Sequence, residues 1–151
     1  MLFMLSVSHA ATGAFIATKL PHPILYVPLI LASHYLEDWI PHWDVGTGLS
    51  NGTRSRRTAF ILELFDLSVA VILVYFLWQN GQNTFNISAW TGVIISLTPD
   101  FFEAPQNFLY FEPQFFKKIN KLHRYFHHST PNIILGLMPQ VLLLIVIWIL
   151  H

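Results

Sequence analysis

The chain has 151 residues, of which 54% are hydrophobic and only 11% are charged, whereas an average soluble domain carries roughly 25% charged residues. This length and composition predict one transmembrane domain over residues 1–151, and the formal net charge of zero argues against a nucleic-acid-binding protein. Cysteine is absent, which excludes disulfides, thiolate ligands and a cysteine nucleophile, so any bound metal must use nitrogen and oxygen ligands.

Five segments approach the roughly 20 apolar residues that a helix needs to cross a bilayer. They cover residues 1–20, 23–41, 58–78, 86–102 and 132–150, and the fourth is short because Pro99 interrupts it. Residues 113–128 mix apolar and basic side chains in a pattern typical of an amphipathic helix in the membrane interface. The sequence therefore predicts an all-α polytopic bundle of about five spans with one interfacial helix.

Basic residues concentrate in two of the connecting segments. Arg54, Arg56 and Arg57 follow the second predicted span, and three lysines and one arginine precede the fifth, whereas the loop after the third span has none. Because short cytoplasmic loops carry an excess of Lys and Arg, we expect a multi-pass membrane protein with its N-terminus in the cytoplasm and its C-terminus outside. This orientation places all eight carboxylates and five of the eight histidines at the cytoplasmic edge.

Three ionisable residues lie at a regular spacing near the end of the second predicted span. His34, Asp38 and His42 follow one another at intervals of four residues. Residues four apart share a helix face, so they can share a metal ion, or Asp38 can orient an imidazole. Because ionisable groups inside a membrane are costly without a partner or a purpose, we interpret His34 and Asp38 as functional. Glu37 and the neighbouring tryptophans fit an interfacial belt that marks the helix end.

Further carboxylates lie in the third and fourth predicted spans. Glu63 and Asp66 are one helical turn apart, and two such carboxylates repel each other unless a cation or a proton lies between them. They can instead pair with Arg56 or Arg57 nearby, and the sequence leaves both interpretations open. Asp100 follows a proline that tends to break the helix, although Pro-Asp alone is a common turn signal.

Histidines cluster after the predicted interfacial helix and also occur in the first span. His123 and His127 are four residues apart, and His128 is adjacent. A helix that binds anionic headgroups would explain the basic residues here but does not require three histidines. His9 lies among small residues, where it is either a packing element or a further ligand at similar depth.

The stretches HAATGAFIA, SHYLED, LTPDFFE and LHRYFHHST resemble the motifs of the membrane-bound metal-dependent hydrolases, a prokaryotic family of small multi-span inner-membrane proteins. The resemblance touches four of the five predicted spans. Thr98 replaces the leucine that more typically precedes the Pro-Asp pair, and either His127 or His128 fits the second histidine. The resemblance implies a hydrolytic reaction that depends on a bound metal.

The residues and the resemblance together predict one or two divalent metals, bound by His9, His34, Asp38, Asp100, His123, and His127 or His128. Zinc is our first choice because nitrogen-rich mixed sites suit it, and manganese or iron are alternatives. We expect a metal-activated water to attack a phosphoryl or acyl group of a lipid-linked substrate.

Further residues nearby are predicted to assist this reaction. Arg124, with Lys121 or Arg57, would hold the anionic group of the substrate, and Glu63 or Asp66 would act as general base or as an additional ligand. Two other functions use the same residues differently. A metal or proton transporter would need polar groups across the whole membrane, and a lipid-binding protein would leave the histidines incidental.

Overall fold

The computed structural model describes residues 5–151, and this part of the chain forms six helices without a β-strand. The helices are α1 (Ser6–Lys19), α2 (Pro23–Trp39), α3 (Arg56–Val74), α4 (Ile87–Leu109), α5 (Lys117–Phe126) and α6 (Ile133–Leu150). A π-helical segment, Tyr75–Gln79, extends α3. The predicted all-α fold class is confirmed.

Polar side chains cap the beginning of three of the six helices. Ser55, Asn86 and Asn132 each accept a hydrogen bond from a backbone N–H in the first turn of α3, α4 and α6, respectively. Such N-caps satisfy donors that have no partner inside the helix. Pro23 lies in the first turn of α2, where its missing N–H costs nothing.

α1 lies at the centre of the fold and packs against α2, α3, α4 and α6. Its buried face is made of small residues, among them Ala10, Ala11 and Ala14. Gly13 contacts Gly92 of α4 so closely that a Cβ on either residue would overlap the other backbone. Small residues thus allow the two helix backbones to approach, and they bring His9 of α1 into the interior of the protein.

Two helices of the described chain, Arg56–Gln79 and Ile133–Leu150, are long and apolar enough to cross a membrane. Only 17% of the most apolar window of each is buried in the fold, so most of their apolar side chains face outward. These helices correspond to the third and fifth predicted spans.

The predicted bundle of five spans is not supported. α1 has 14 residues and α2 has 17, both short of the roughly 20 that a span needs, and residues 1–4 of the first predicted span lie outside the described part of the chain. α4 has 23 residues but buries Asp100 and Glu103 and contains two prolines. The predicted interfacial segment 113–128 forms the shorter helix α5, which buries Asn120 and His123.

Candidate metal centre

Four buried side chains from three helices converge on one point. His34 and Asp38 come from α2, Asp100 from α4 and His123 from α5, and we call them the four-residue cluster. Each offers one ligand atom, and these atoms all lie within 4.8 Å of one another. No residue of the cluster is more than 5% exposed. The sequence places these residues up to 89 positions apart, so the fold creates the cluster.

The spacing of the ligand atoms matches that of a metal site. His34 Nε2 lies 3.3 Å from Asp38 Oδ2, 3.2 Å from His123 Nε2 and 3.7 Å from Asp100 Oδ1. His123 Nε2 lies 2.7 Å from Asp38 Oδ2 and 3.5 Å from Asp100 Oδ1. Ligand atoms at about 2.0–2.1 Å around a tetrahedral ion are about 3.3 Å apart. The four-residue cluster could therefore hold a metal ion.

Two buried glutamates contact the Nδ1 atoms of histidines whose Nε2 atoms face the site. His123 Nδ1 is 3.1 Å from Glu103 Oε2, and His9 Nδ1 is 3.0 Å from Glu37 Oε2. Histidines that bind metals almost always donate their other ring N–H to a carboxylate, a carbonyl or water. Both glutamates thus orient the Nε2 atom of their histidine toward the site. The interpretation of Glu37 as an interfacial residue is wrong, since Glu37 is only 7% exposed.

His9 lies at the edge of the four-residue cluster. Its ring stacks on that of His34 with centroids 4.0 Å apart, and its Nε2 atom is 3.3 Å from Asp38 Oδ1. Asp38 thus uses one oxygen toward His34 and His123 and the other toward His9. The predicted proximity of His9 to the other candidate ligands is found.

Of the two histidines that the sequence left open, the structure brings His127 into the site. His127 Nε2 lies 3.0 Å from His42 Nε2 and 4.0 Å from Asp38 Oδ1, and Asp38, His42 and His127 form a second ligand group with atoms within 4.8 Å of one another. His128 is exposed, and its Nδ1 donates to the carbonyl of Phe126 at 2.7 Å. His128 therefore lies outside the site.

Backbone hydrogen bonds fix the segment that carries His127. The His128 N–H donates to the Asp38 carbonyl at 2.9 Å, the His42 N–H donates to the His128 carbonyl at 3.1 Å, and the Thr130 N–H donates to the His42 carbonyl at 2.8 Å. The chain after α5 is thus paired with the chain after α2. This pairing holds the rings of His42 and His127 face to edge, with centroids 4.6 Å apart.

Glu63 and Asp66 bind the start of α1. Asp66 Oδ2 accepts a hydrogen bond from the Ser6 N–H, and Glu63 Oε1 accepts one from the Ser6 hydroxyl at 2.7 Å. Neither carboxylate belongs to the two ligand groups. The alternative pairing with Arg56 or Arg57 is also not found among the described residues. Arg56 instead donates to the carbonyls of Gln106 and Asn107 at 2.8 and 2.6 Å. Glu63 Oε2 remains buried without a hydrogen-bond partner in the described structure.

Arg124 contacts the outer side of the site. Its guanidinium donates to Gln106 Oε1 at 2.7 Å, to Glu112 Oε1 at 3.3 Å and to Glu103 Oε1 at 3.4 Å. Because the other oxygen of Glu103 faces His123, Arg124 supports the residue that orients this histidine. Its side chain is 30% exposed, so part of the guanidinium can also reach a ligand from outside.

Burial and hydrogen bonding give the histidines of this site different charges. Burial lowers the pKa of His123, but its bonds to Asp38 and Glu103 outweigh that effect and raise the pKa to about 10. Burial lowers the pKa of His42 to about 4 and holds that of His127 well below its ordinary value. In the metal-free protein at neutral pH, His123 is therefore a cation, while His42 and His127 are neutral.

An apolar cavity of about 200 Å³ lies beside the four-residue cluster, between α3 and α4. Its walls include phenylalanine and leucine side chains, and its ionisable lining residues are Glu63 and Asp100. One side of Asp100 thus faces the histidines, and the same residue borders a space suited to hydrocarbon.

Comparison with protein-family models, with curated proteins and with solved structures finds no match. The resemblance to the membrane-bound metal-dependent hydrolases remains a prediction.

Proposed function

We propose that this protein is a membrane-bound, metal-dependent hydrolase that cleaves an amphiphilic phosphoester at the cytoplasmic membrane surface. The observation that carries the proposal is the spacing of four buried ligand atoms from His34, Asp38, Asp100 and His123, five pairs of which are 2.7–3.7 Å apart. Burying carboxylates without a counter-charge is costly, and a divalent cation offsets that cost. Neither oxygen of Asp100 has a hydrogen-bond partner in the described structure.

The donor atoms favour zinc as the bound metal. The four-residue cluster offers two imidazole nitrogens and two carboxylate oxygens, a mixed set that suits Zn²⁺, while Mn²⁺ and Fe²⁺ accept the same ligands with lower affinity. A bound Zn²⁺ supplies a hydroxide near neutral pH and polarises a phosphoryl oxygen.

Two residues of this chain are suited to handle the proton and the charge of such a reaction. Glu63 Oε2 is buried, has no hydrogen-bond partner in the described structure and lines the same cavity as Asp100, so it is our candidate general base. Arg124 is our candidate for holding the anionic group, since its guanidinium is partly exposed beside Glu103. Asp66, bound to the backbone of Ser6, is assigned a structural role.

The surroundings of the cluster favour an amphiphilic substrate. The cavity beside Asp100 has apolar walls, and α3 on its rim presents Phe60, Leu64 and other large apolar side chains outward. A hydrocarbon tail can lie in this space while its phosphate group faces the metal. A metal transporter does not require an apolar cavity beside a candidate metal ligand such as Asp100.

The two candidate spans also support a cytoplasmic site. The arginines at positions 54, 56 and 57 precede or begin α3, so that end is assigned to the cytoplasm by the excess of basic residues there. At the opposite end, Lys19 donates to the carbonyl of His151 at 3.3 Å, and the rings of Trp78 and His151 are 5.9 Å apart. We assign this end, including the C-terminus, to the outside of an inner membrane.

The test uses protein purified without a histidine tag. Metal content is measured by mass spectrometry, and phosphate-ester cleavage is measured with bis(p-nitrophenyl) phosphate, p-nitrophenyl phosphate and phosphatidylglycerol in mixed micelles. Asp100→Asn should lose metal and cleavage, whereas His128→Ala, which removes an exposed histidine outside the site, should lose neither.

Each other outcome identifies an alternative. Bound metal with no cleavage of any of the three phosphoesters would contradict hydrolysis of this substrate class and favour metal transport or storage. Folded protein without metal would contradict the metal centre and favour a lipid-binding role.

A further inference from the structure

Asp38 is shared by two groups of ligand atoms. Its Oδ2 atom lies 3.3 Å from His34 Nε2 and 2.7 Å from His123 Nε2. Its Oδ1 atom points elsewhere, 3.3 Å from His9 Nε2 and 4.0 Å from His127 Nε2. A carboxylate whose two oxygens face separate sets of imidazoles has the arrangement of a ligand that bridges two cations. In two-metal hydrolytic sites, the ions are about 3.5–4 Å apart.

His42 presents a lone pair to this second position. Its Nδ1 lies 2.8 Å from the carbonyl of Ile40; since a carbonyl can only accept, Nδ1 carries the hydrogen. A neutral imidazole with a hydrogen on Nδ1 has an unprotonated Nε2. This Nε2 is the atom that faces His127, and the His42 side chain is completely buried. The carbonyl thus holds His42 in the tautomer and orientation that a metal ligand needs.

Asp44 completes a set of four donors. Its Oδ2 atom is 3.6 Å from His42 Nε2 and 4.0 Å from His127 Nε2, and its side chain is fully buried. The loop is held in place by Arg54, which donates to the backbone carbonyls of Asp44 and Val45. The donors are again two nitrogens and two oxygens. Four of their six separations are 3.0–4.0 Å, compared with roughly 3.3 Å in a tetrahedral site, and the ligand atoms of Asp38, His42 and His127 all lie within 4.8 Å of one another.

We infer that the protein binds a second divalent cation between Asp38, His42, Asp44 and His127, and that Asp38 bridges it to the ion of the four-residue cluster. The inference deepens the proposed function and rests on it for the first ion. A pair of cations can bind two oxygens of one phosphate group, so the second ion favours a phosphoester over a carboxylic ester as substrate.

The test counts ions in the intact protein and in four variants. Protein without a histidine tag is titrated with Zn²⁺ after chelator treatment and gel filtration, and bound metal is measured by mass spectrometry. The wild type should retain two ions per chain. Asp44→Asn and Asp100→Asn should each retain one, because each removes a ligand of a single position, and Asp38→Asn should weaken both. His128→Ala should retain two, and circular dichroism checks that each variant is folded.

A spectroscopic measurement tests the bridge itself. With Mn²⁺ in place of Zn²⁺, two ions bridged by Asp38 should give the exchange-coupled electron paramagnetic resonance spectrum of a manganese pair. Asp44→Asn, or His127→Gln if the first does not fold, should convert it to the six-line spectrum of an isolated ion.

The outcomes separate this inference from the proposed function. One ion in the wild type that Asp100→Asn removes and Asp44→Asn leaves would overturn the second position and keep the first. An uncoupled manganese spectrum at saturating metal would overturn the bridge. No bound ion in folded wild type would overturn both.

Discussion

Replacing Glu103 should lower Zn²⁺ affinity by an amount that follows from its contact with His123. Its Oε2 atom is 3.1 Å from His123 Nδ1, and its other oxygen is 3.4 Å from Arg124. Replacing a carboxylate that orients a metal-binding histidine typically lowers metal affinity by about 10–100-fold, which corresponds to about 1.4–2.7 kcal/mol. Glu103→Gln keeps the size and one oxygen of the side chain, so we expect that loss of Zn²⁺ affinity in a protein that remains folded.

Glu112 provides the matched control. It is also an acidic partner of Arg124, at 3.3 Å, but no contact joins it to His123 among the described interactions. Competition with a chromophoric chelator should show Zn²⁺ affinity lowered by about 10–100-fold in Glu103→Gln and nearly unchanged in Glu112→Gln. Equal losses in the two variants would show that the charge around Arg124, and not the bond to His123, determines affinity. No loss in Glu103→Gln would refute the assignment of His123 as a ligand.

Three further predictions concern protons, packing and capping. The pKa of His123 is about 10 in the metal-free protein, so this histidine is charged at neutral pH and metal binding must displace its proton. Zn²⁺ affinity should therefore rise about tenfold per pH unit between pH 6 and 9. Chelator competition measures this affinity, and a profile that is flat with pH would contradict the prediction. Gly13→Ala forces a methyl group against Gly92 and should lower stability by about 1–3 kcal/mol, measured by thermal unfolding in detergent. Asp66→Ala removes the carboxylate that binds the Ser6 N–H and should cost about 0.5–2 kcal/mol; a loss of bound metal would contradict its structural role.

The sequence was sufficient to propose the candidate ligands that lie on one helix face or at a break in the chain. His34 and Asp38 are four residues apart on α2, and in the structure Asp38 Oδ2 lies 3.3 Å from His34 Nε2. The sequence alone could not distinguish His127 from His128 as the candidate ligand, because the difference depends on backbone pairing with residues more than 80 positions away. Spacing along the chain contains no information on that pairing.

Residues that act through another residue were harder to recognise. Glu37 looked interfacial because it lies next to Trp39, yet it contacts His9 across a helix interface. Glu103 ends the stretch LTPDFFE, but its contact is with His123, 20 positions further along the chain. Asp44 follows His42 by two residues, outside the four-residue spacing of His34, Asp38 and His42, and Pro41 ends the helix periodicity there. The number of spans was overestimated for a related reason: α1 and α4 are apolar in sequence but bury polar groups inside the fold.

The charges in the interior favour a metal centre over an incidental group of histidines. Asp38, Asp44 and Asp100 are at most 5% exposed. Burial lowers the pKa of His9 and of His123, but their bonds to carboxylates outweigh that effect and raise both pKa values, so two imidazolium cations lie beside these residues. Arg124 lies farther out, on Glu103. Burial raises the pKa of Asp100 well above its ordinary value, because a further negative charge is costly in this apolar surrounding. A divalent cation at the four-residue cluster would offset that cost and displace the proton, whereas binding a lipid headgroup at the surface of α5 would leave the cost unchanged.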